Sequence, residues 1–342
     1  MFLNIIHQMA NTKNKTNFEF HLQNIKKLDN DWRFLEKIPN FPYKNPNFYY
    51  SRGDNNGWWM AIKQTAFRGY ITAYLSILGK VSDRKLYFID PLSSYGLVRV
   101  TKNHGKDRFT FPGTSINAGL ISNQKKKGFD GFYINDLKLS ERKILNERML
   151  SIKNHYNSNS EINIDLSNIR IDSNKWLIDT MRVIDEENSF YHCLIIIDNQ
   201  AMDIFYDTIQ QVREISEFSD VIITFQDANI ARAIPSGTPK IKRFFGCEIP
   251  TDIKEPRKVL CNKYCLQLSK VNLPKIQKMK VASENKFYYT LLFCCRQKAT
   301  GKWFKIIKYY NDERFKNFTD RDQKRMWDIR EGKQLSLTHD WK

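Results

Sequence analysis

Cys193 to Asp198 reads CLIIID, five apolar residues closed by a carboxylate. No polar residue interrupts the run, so neither face is meant for water. That is how a strand reads when it lies inside a parallel sheet covered on both sides. Three more stretches share this character: KLYFID (Lys85 to Asp90), GFYIND (Gly131 to Asp136) and DVIITF (Asp220 to Phe225). A weaker fifth is NIRID, Asn168 to Asp172. Between them, Leu137 to Leu150, Asn174 to Asp185 and Met202 to Phe218 carry helical spacing, and strand–helix repetition of this kind builds a doubly wound α/β sheet.

Upstream, Trp58 to Leu78 has apolar residues at helical intervals, with Gly79 at the capping position. A further helix, or two, is expected around Phe18 to Leu35, and the loop-like Asn40 to Gly57 follows. Downstream, Pro235, Gly237 and Pro239 mark a boundary. Beyond it, Phe287 to Arg296 and Gly301 to Tyr310 read as strands, and Asp320 to Glu331 as a basic helix. The expected organisation is an N-terminal extension over 1–57, a Rossmann-like domain over 58–236 and a small basic, aromatic-rich α+β region over 237–342.

Composition narrows the function. Hydrophobic residues form 41% of the 342, enough for a core and too many for a disordered chain. The longest apolar runs are far shorter than the roughly 20 residues of a membrane span. The first residues, MFLNIIHQ, lack the basic start of a secretory signal. Six cysteines do not make a disulfide framework in a chain this long, and Cys261 and Cys265 lack the second close pair that a four-ligand zinc site needs. No metal is expected, and a reduced, cytoplasmic setting is the simplest reading. The net charge is +18, and 22 basic against 10 acidic residues put +12 of it after residue 250. Cations interleaved with aromatic rings suit DNA or RNA. The candidate contacts are Arg232, Lys302, Lys305, Lys308, Arg321, Lys324 and Arg325. The plainer alternative is a core of rings beneath a solvated basic face.

In an open α/β sheet, ligands sit outside the carboxyl ends of the strands. Four expected strands end in Asp90, Asp136, Asp172 and Asp198. Each alone reads as a helix cap; four in succession point to a shared site. This is the residue layout of a nucleoside-methyltransferase sheet. Its cofactor, S-adenosylmethionine, is expected against Asp90, Ser93, Ser94 and Gly96, with Asp136 on the ribose and Asp172 and Asn174 near the adenine. Asp198 and Asn199 are the candidates for chemistry, holding a target amine. No GxGxxG, GxxxxGK[ST], HExxH or GxSxG occurs, which argues against nicotinamide enzymes, P-loop NTPases, zinc proteases and α/β-hydrolases. A magnesium nuclease built from the aspartates lacks the Asp/Glu-x-Lys spacing of many such enzymes.

In order and spacing, several of these stretches resemble the three-Cys-motif partner family, a methyltransferase-like group of prokaryotes. They are WWMAIKQTAFRGYITAYL (Trp58 to Leu75), YFIDPLSSYG (Tyr87 to Gly96), Gly113 to Ala118, IDSN (Ile171 to Asn174), LIIIDNQAMDI (Leu194 to Ile204), DVIITFQDANIAR (Asp220 to Arg232) and FYYTLLFCCRQKATGKWFK (Phe287 to Lys305). The resemblance covers about residues 58 to 310. It implies a class I methyltransferase-type fold and a partner protein carrying three cysteines. The chain departs from the family in its first loop, Ser-Ser-Tyr-Gly, and after Asp198, where no aromatic follows until Phe205. Two functions are therefore expected: an S-adenosylmethionine-dependent methyltransferase acting on nucleic acid, or a protein of that fold that only binds DNA or RNA and a partner.

Overall fold

The computed structural model describes residues 17–43, 47–49, 57–80, 83–102, 107–282, 288–295, 314–315 and 318–332. In chain order the elements are α1 (Asn17–Leu35), β1 (Asn47–Tyr49), α2 (Trp58–Leu78), β2 (Lys85–Asp90), β3 (Leu97–Lys102), β4 (Asp107–Pro112), α3 (Thr114–Asn123), β5 (Gly131–Ile134), α4 (Leu139–His155) and β6 (Glu161–Asn163). There follow α5 (Ser173–Glu187), β7 (Tyr191–Ile197), α6 (Tyr206–Ile215), β8 (Ser219–Phe225), α7 (Asp227–Ala233), α8 (Pro239–Phe245), α9 (Pro256–Lys270), β9 (Lys275–Ala282), β10 (Tyr288–Cys295) and α10 (Asp320–Arg330).

Seven strands form one sheet in the order β6-β5-β2-β7-β8-β10-β9. β6, β5, β2, β7 and β8 run parallel. β10 is antiparallel to both β8 and β9. Counted along the chain within this sheet, the order is third, second, first, fourth, fifth, seventh, sixth. That is the Rossmann-like, doubly wound arrangement of the class I methyltransferase type. β7 and β8 are buried at every position, as their unbroken apolar runs require.

Each face of the sheet has its own core. On one, α2, α3 and α4 pack with Phe88, Phe132 and Leu194. On the other, α5, α6, α8 and α9 pack with Ile89, Ile195 and Phe225. A smaller sheet, β1-β3-β4, joins the first core. There Phe109 stacks on both Trp58 and Trp327, with ring centroids 5.6 and 4.1 Å away, and the two tryptophans meet each other at 6.3 Å. The two ends of the described chain also meet. His21 of α1 stacks on Phe318 at 3.4 Å, and its Nε2 lies 2.7 Å from the Arg314 carbonyl oxygen.

Several expectations change. The boundary drawn at 236/237 does not divide the sheet, because β9 and β10 complete it rather than building their own. Asn168 to Asp172 is not a strand; the third parallel strand is the short, half-exposed β6, and Arg170 makes only an isolated bridge to Lys138. The β3–β4 hairpin and α3 occupy ground left unassigned between Asp90 and Gly131. The expected strand from Gly301 to Tyr310 lies outside the described residues. The six cysteines are free thiols. Among the described residues, no helix is long and apolar enough to cross a membrane.

Candidate functional site

The sheet order reverses between β2 and β7, and a crevice opens there at the carboxyl ends of the strands, as the topology dictates. It has two joined hollows of about 280 and 480 Å³, which share Leu92, Ser94, Asp198 and Gln200. Asp90, Ser93, Ser94, Gly96, Asp198 and Asn199 border the first; Asp136, Asp172 and Asn174 border the second. The nine residues singled out for cofactor and chemistry therefore lie around one opening.

Asp90, at the end of β2, is wholly buried. It accepts hydrogen bonds from Ser115 Oγ at 2.5 Å and the Leu92 amide at 3.2 Å. Burial pushes its carboxyl up to about 7; the Ser115 bond opposes this and the nearby Asp198 adds to it. The loop that follows is strapped to the end of β5. Ser93 donates to the Asn135 carbonyl from both its amide (3.0 Å) and its hydroxyl (2.8 Å). The Ser94 amide donates to Asp136 at 2.8 Å, and the Ser94 hydroxyl to Glu141 at 3.1 Å. Those straps hold Ser94 at φ 52° and lead into Gly96 at φ 72°, conformations that favour small or flexible residues. A Cβ on Gly96 would come within 2.5 Å of Leu145 Cδ1, so the turn packs directly on α4.

Asp136 faces the larger hollow. Burial, then neighbouring Glu141, raises its carboxyl to about 6. Asp172 is the N-cap of α5, accepting from the Asn174 and Lys175 amides. Asn174 staples the loop after β7: its Oδ1 accepts from the Phe205 amide (2.8 Å) and Thr208 Oγ1 (2.8 Å), while its Nδ2 donates to the Asp203 carbonyl (2.9 Å). Both residues thus have structural duties at the rim.

Asp198 is held twice. Lys63 Nζ donates to Oδ2 at 2.6 Å and Thr224 Oγ1 to Oδ1 at 2.7 Å. Lys63 comes from α2, is 5% exposed in its side chain, and lies 5.8 Å from the centroid of the Tyr289 ring. Asn199 accepts from the Ile204 amide at 3.1 Å, and its carbonyl accepts from Gln226 Nε2 at 2.8 Å. Asn199 Nδ2 and Gln226 Oε1 are buried without partners among the described residues. A buried donor and a buried acceptor left open beside a hollow are costly unless they have a use.

Lys63, Gln64, Trp59, Thr114 and Tyr289 also border the first hollow and were not anticipated as site residues. The signal was present in α2, where Lys63, Gln64 and Arg68 interrupt a mainly apolar helix and Lys63 and Gln64 are buried in it. A buried charge on such a helix needs a partner or a function. Here Gln64 donates to Thr114 Oγ1 (3.1 Å) and accepts from Asn117 Nδ2 (3.0 Å). Arg68 ties Asn117 Oδ1 to Asp31 of α1. A polar chain therefore runs from the pocket wall to the N-terminal helix.

Of the expected nucleic-acid contacts, Arg232, Arg321, Lys324 and Arg325 do not border this crevice. Arg232 is exposed on α7 and bonds Asn229 Oδ1 and the Ala228 carbonyl. Arg321, Lys324 and Arg325 lie on α10, which packs on α1 and α2; Lys324 pairs with Asp328 at 3.3 Å. Lys302, Lys305 and Lys308 lie outside the described residues.

No family model and no curated protein matches the chain. Among solved structures it is similar to Trm1 from Pyrococcus horikoshii in complex with S-adenosyl-L-methionine, at 12% identity and a TM-score of 0.38. That match covers 68% of this chain and 55% of Trm1, so it spans about half the length of that relative. It is also similar to protein LPL1258 from Legionella pneumophila, at 9% identity and a TM-score of 0.45, over 77% of this chain and 95% of that one.

Proposed function

We propose that the protein binds S-adenosylmethionine in the crevice over β2, β5 and β7 and transfers its methyl group to nucleic acid. The observation that carries this reading is the convergence of nine residues from separate segments on the reversal point of a methyltransferase-type sheet. The residues suit the ligand's chemistry. A ribose diol needs an acceptor, and Asp136 offers a carboxylate that two backbone amides orient. An amino-acid end needs a cation and an anion, and the Lys63–Asp198 pair provides both at one spot. Bound there, the cofactor would supply an electrophilic methyl group.

The remaining work is positioning, which needs no group of extreme acidity. Trp59 and Tyr289 give flat surfaces for a planar target. Asn199 Nδ2 and Gln226 Oε1 give a donor and an acceptor for its polar edge. The family resemblance adds a protein partner with three cysteines to this reading. The alternative is a fold that keeps the crevice and binds nucleic acid without reaction. It is favoured by one fact: both oxygens of Asp198 already accept hydrogen bonds from the chain.

Calorimetric titration with S-adenosylmethionine and S-adenosylhomocysteine tests the proposal. Micromolar binding, weakened in Asp136→Ala, is the expected result. A folded protein that gives no heat at millimolar ligand would overturn it.

A further inference from the structure

The layer of helices on the second face of the sheet is electrically divided. Its α5–α6 half carries Lys175, Arg182 and Arg213 against six acidic residues within the two helices. Its other half, residues 239–270, carries 8 basic against 3 acidic residues, a net of +5, and the edge strand β9 beside it adds three lysines. These basic residues belong mainly to α8, α9 and the edge strand β9, and neither α8 nor α9 contains an acidic residue.

Their arrangement leads to the crevice. β9 turns Ile276 toward the core that α9 covers and Met279 and Val281 toward the opposite core. Alternation along a strand then puts Lys278 and Lys280 on the α9 side. Lys278 Nζ donates to Asn262 Oδ1 of α9, in keeping with this. Arg257 opens α9 and is exposed, as is Lys280. Both lie close enough to Asp227 to draw its carboxyl down against the burial that raises it. Asp227 follows Gln226 and precedes Asn229, two residues that border the first hollow. At the far end, Lys240 of α8 borders the second hollow and pairs with Asp203 at 3.8 Å.

We infer that the surface of α8, α9 and β9, centred on Arg257, Lys278 and Lys280, is a track for the phosphodiester backbone of nucleic acid that delivers the strand to the crevice beside α7. The inference rests on the proposed function for what the delivered strand is used for. A basic surface bordered by an acidic half-layer favours a polyanion on its basic side. The track differs from the contacts first expected from the sequence, of which Arg321, Lys324 and Arg325 sit on α10.

The test is fluorescence anisotropy of the full chain with a labelled 20-nucleotide single strand, as DNA and as RNA, across a salt series. The variant is Arg257→Gln, Lys278→Gln, Lys280→Gln; the control is Lys143→Gln, Lys175→Gln, Arg182→Gln, three exposed residues elsewhere. Removing one cation from a phosphate flattens the slope of log affinity against log salt by about 0.7 for a single strand, so the variant's slope should flatten by about 2. The control should behave as the parent. Equal slopes in variant and parent, or equal weakening in the control, would overturn the inference. So would parent protein that binds phosphatidylserine vesicles but no strand. Cofactor titration of the same variant separates the two claims. Loss of strand binding with cofactor binding kept supports the track. Strand binding that depends on the track, without any cofactor binding, keeps the track and removes the methyl-transfer reading.

Discussion

Asp90→Asn isolates the electrostatic burden of the site. The native carboxyl sits at about 7, against 3.8 for an ordinary aspartate, because it is buried. The native state therefore holds an extra proton between about pH 4 and 7, and stability falls as pH rises through that window. At about 1.4 kcal/mol per pH unit, the gap of roughly 3 units amounts to about 4 kcal/mol of stability absent above pH 7 and present below pH 4. Asparagine has nearly the same shape, can keep the Ser115 and Leu92 contacts in part, and does not ionise. Urea denaturation of parent and variant from pH 4 to pH 8 reads the difference directly. The variant should match the parent near pH 4 and exceed it by up to about 4 kcal/mol at pH 8. A difference constant across that range would refute the reasoning, and would mean that Asp90 stays charged through a partner other than Ser115 and the Leu92 amide.

Other outcomes follow from the same structure. Lys63→Met leaves Asp198 without its cation and should cost about 3 kcal/mol in urea denaturation, a loss that Asp198→Asn in the same chain partly restores. Phe109→Ala removes the ring that stacks on both Trp58 and Trp327 and should cost about 3–5 kcal/mol by the same assay. Gly96→Ala adds a methyl group 2.5 Å from Leu145 Cδ1 at φ 72°, and should cost about 2 kcal/mol or more, part of it recovered when Leu145→Val is added. On the proposed function, S-adenosylhomocysteine should bind more weakly at pH 5 than at pH 7.5. Asp136, raised to about 6, takes up its proton in that interval and loses acceptor strength; calorimetry at the two pH values checks this.

The parts of the fold legible in the sequence were those where one physical demand dominates. β2, β7 and β8 are buried on both faces, so their apolar runs admit few other readings. β6 escaped because a three-residue edge strand, Glu-Ile-Asn, needs little hydrophobic material. β9 escaped because its alternation of lysines with Ile276, Met279 and Val281 serves an edge strand with one charged flank, and resembles a solvated loop. At the site, the aspartates stood out because strand ends announce themselves. Lys63 did not, because its role depends on a helix crossing above Asp198, 135 positions away in the chain, and no local pattern encodes such a meeting.

The order of strands also has a consequence during synthesis. β10 lies between β8 and β9, yet it is the last of the three to leave the ribosome. While the stretch from Phe225 to Tyr288 emerges, at about 5–20 residues per second, the outer edge of β8 has no strand beside it and β9 has no neighbour to pair with. For that interval of several seconds or more, an apolar edge waits for its final strand, and a nascent chain in that state is open to chaperones or to a neighbouring copy.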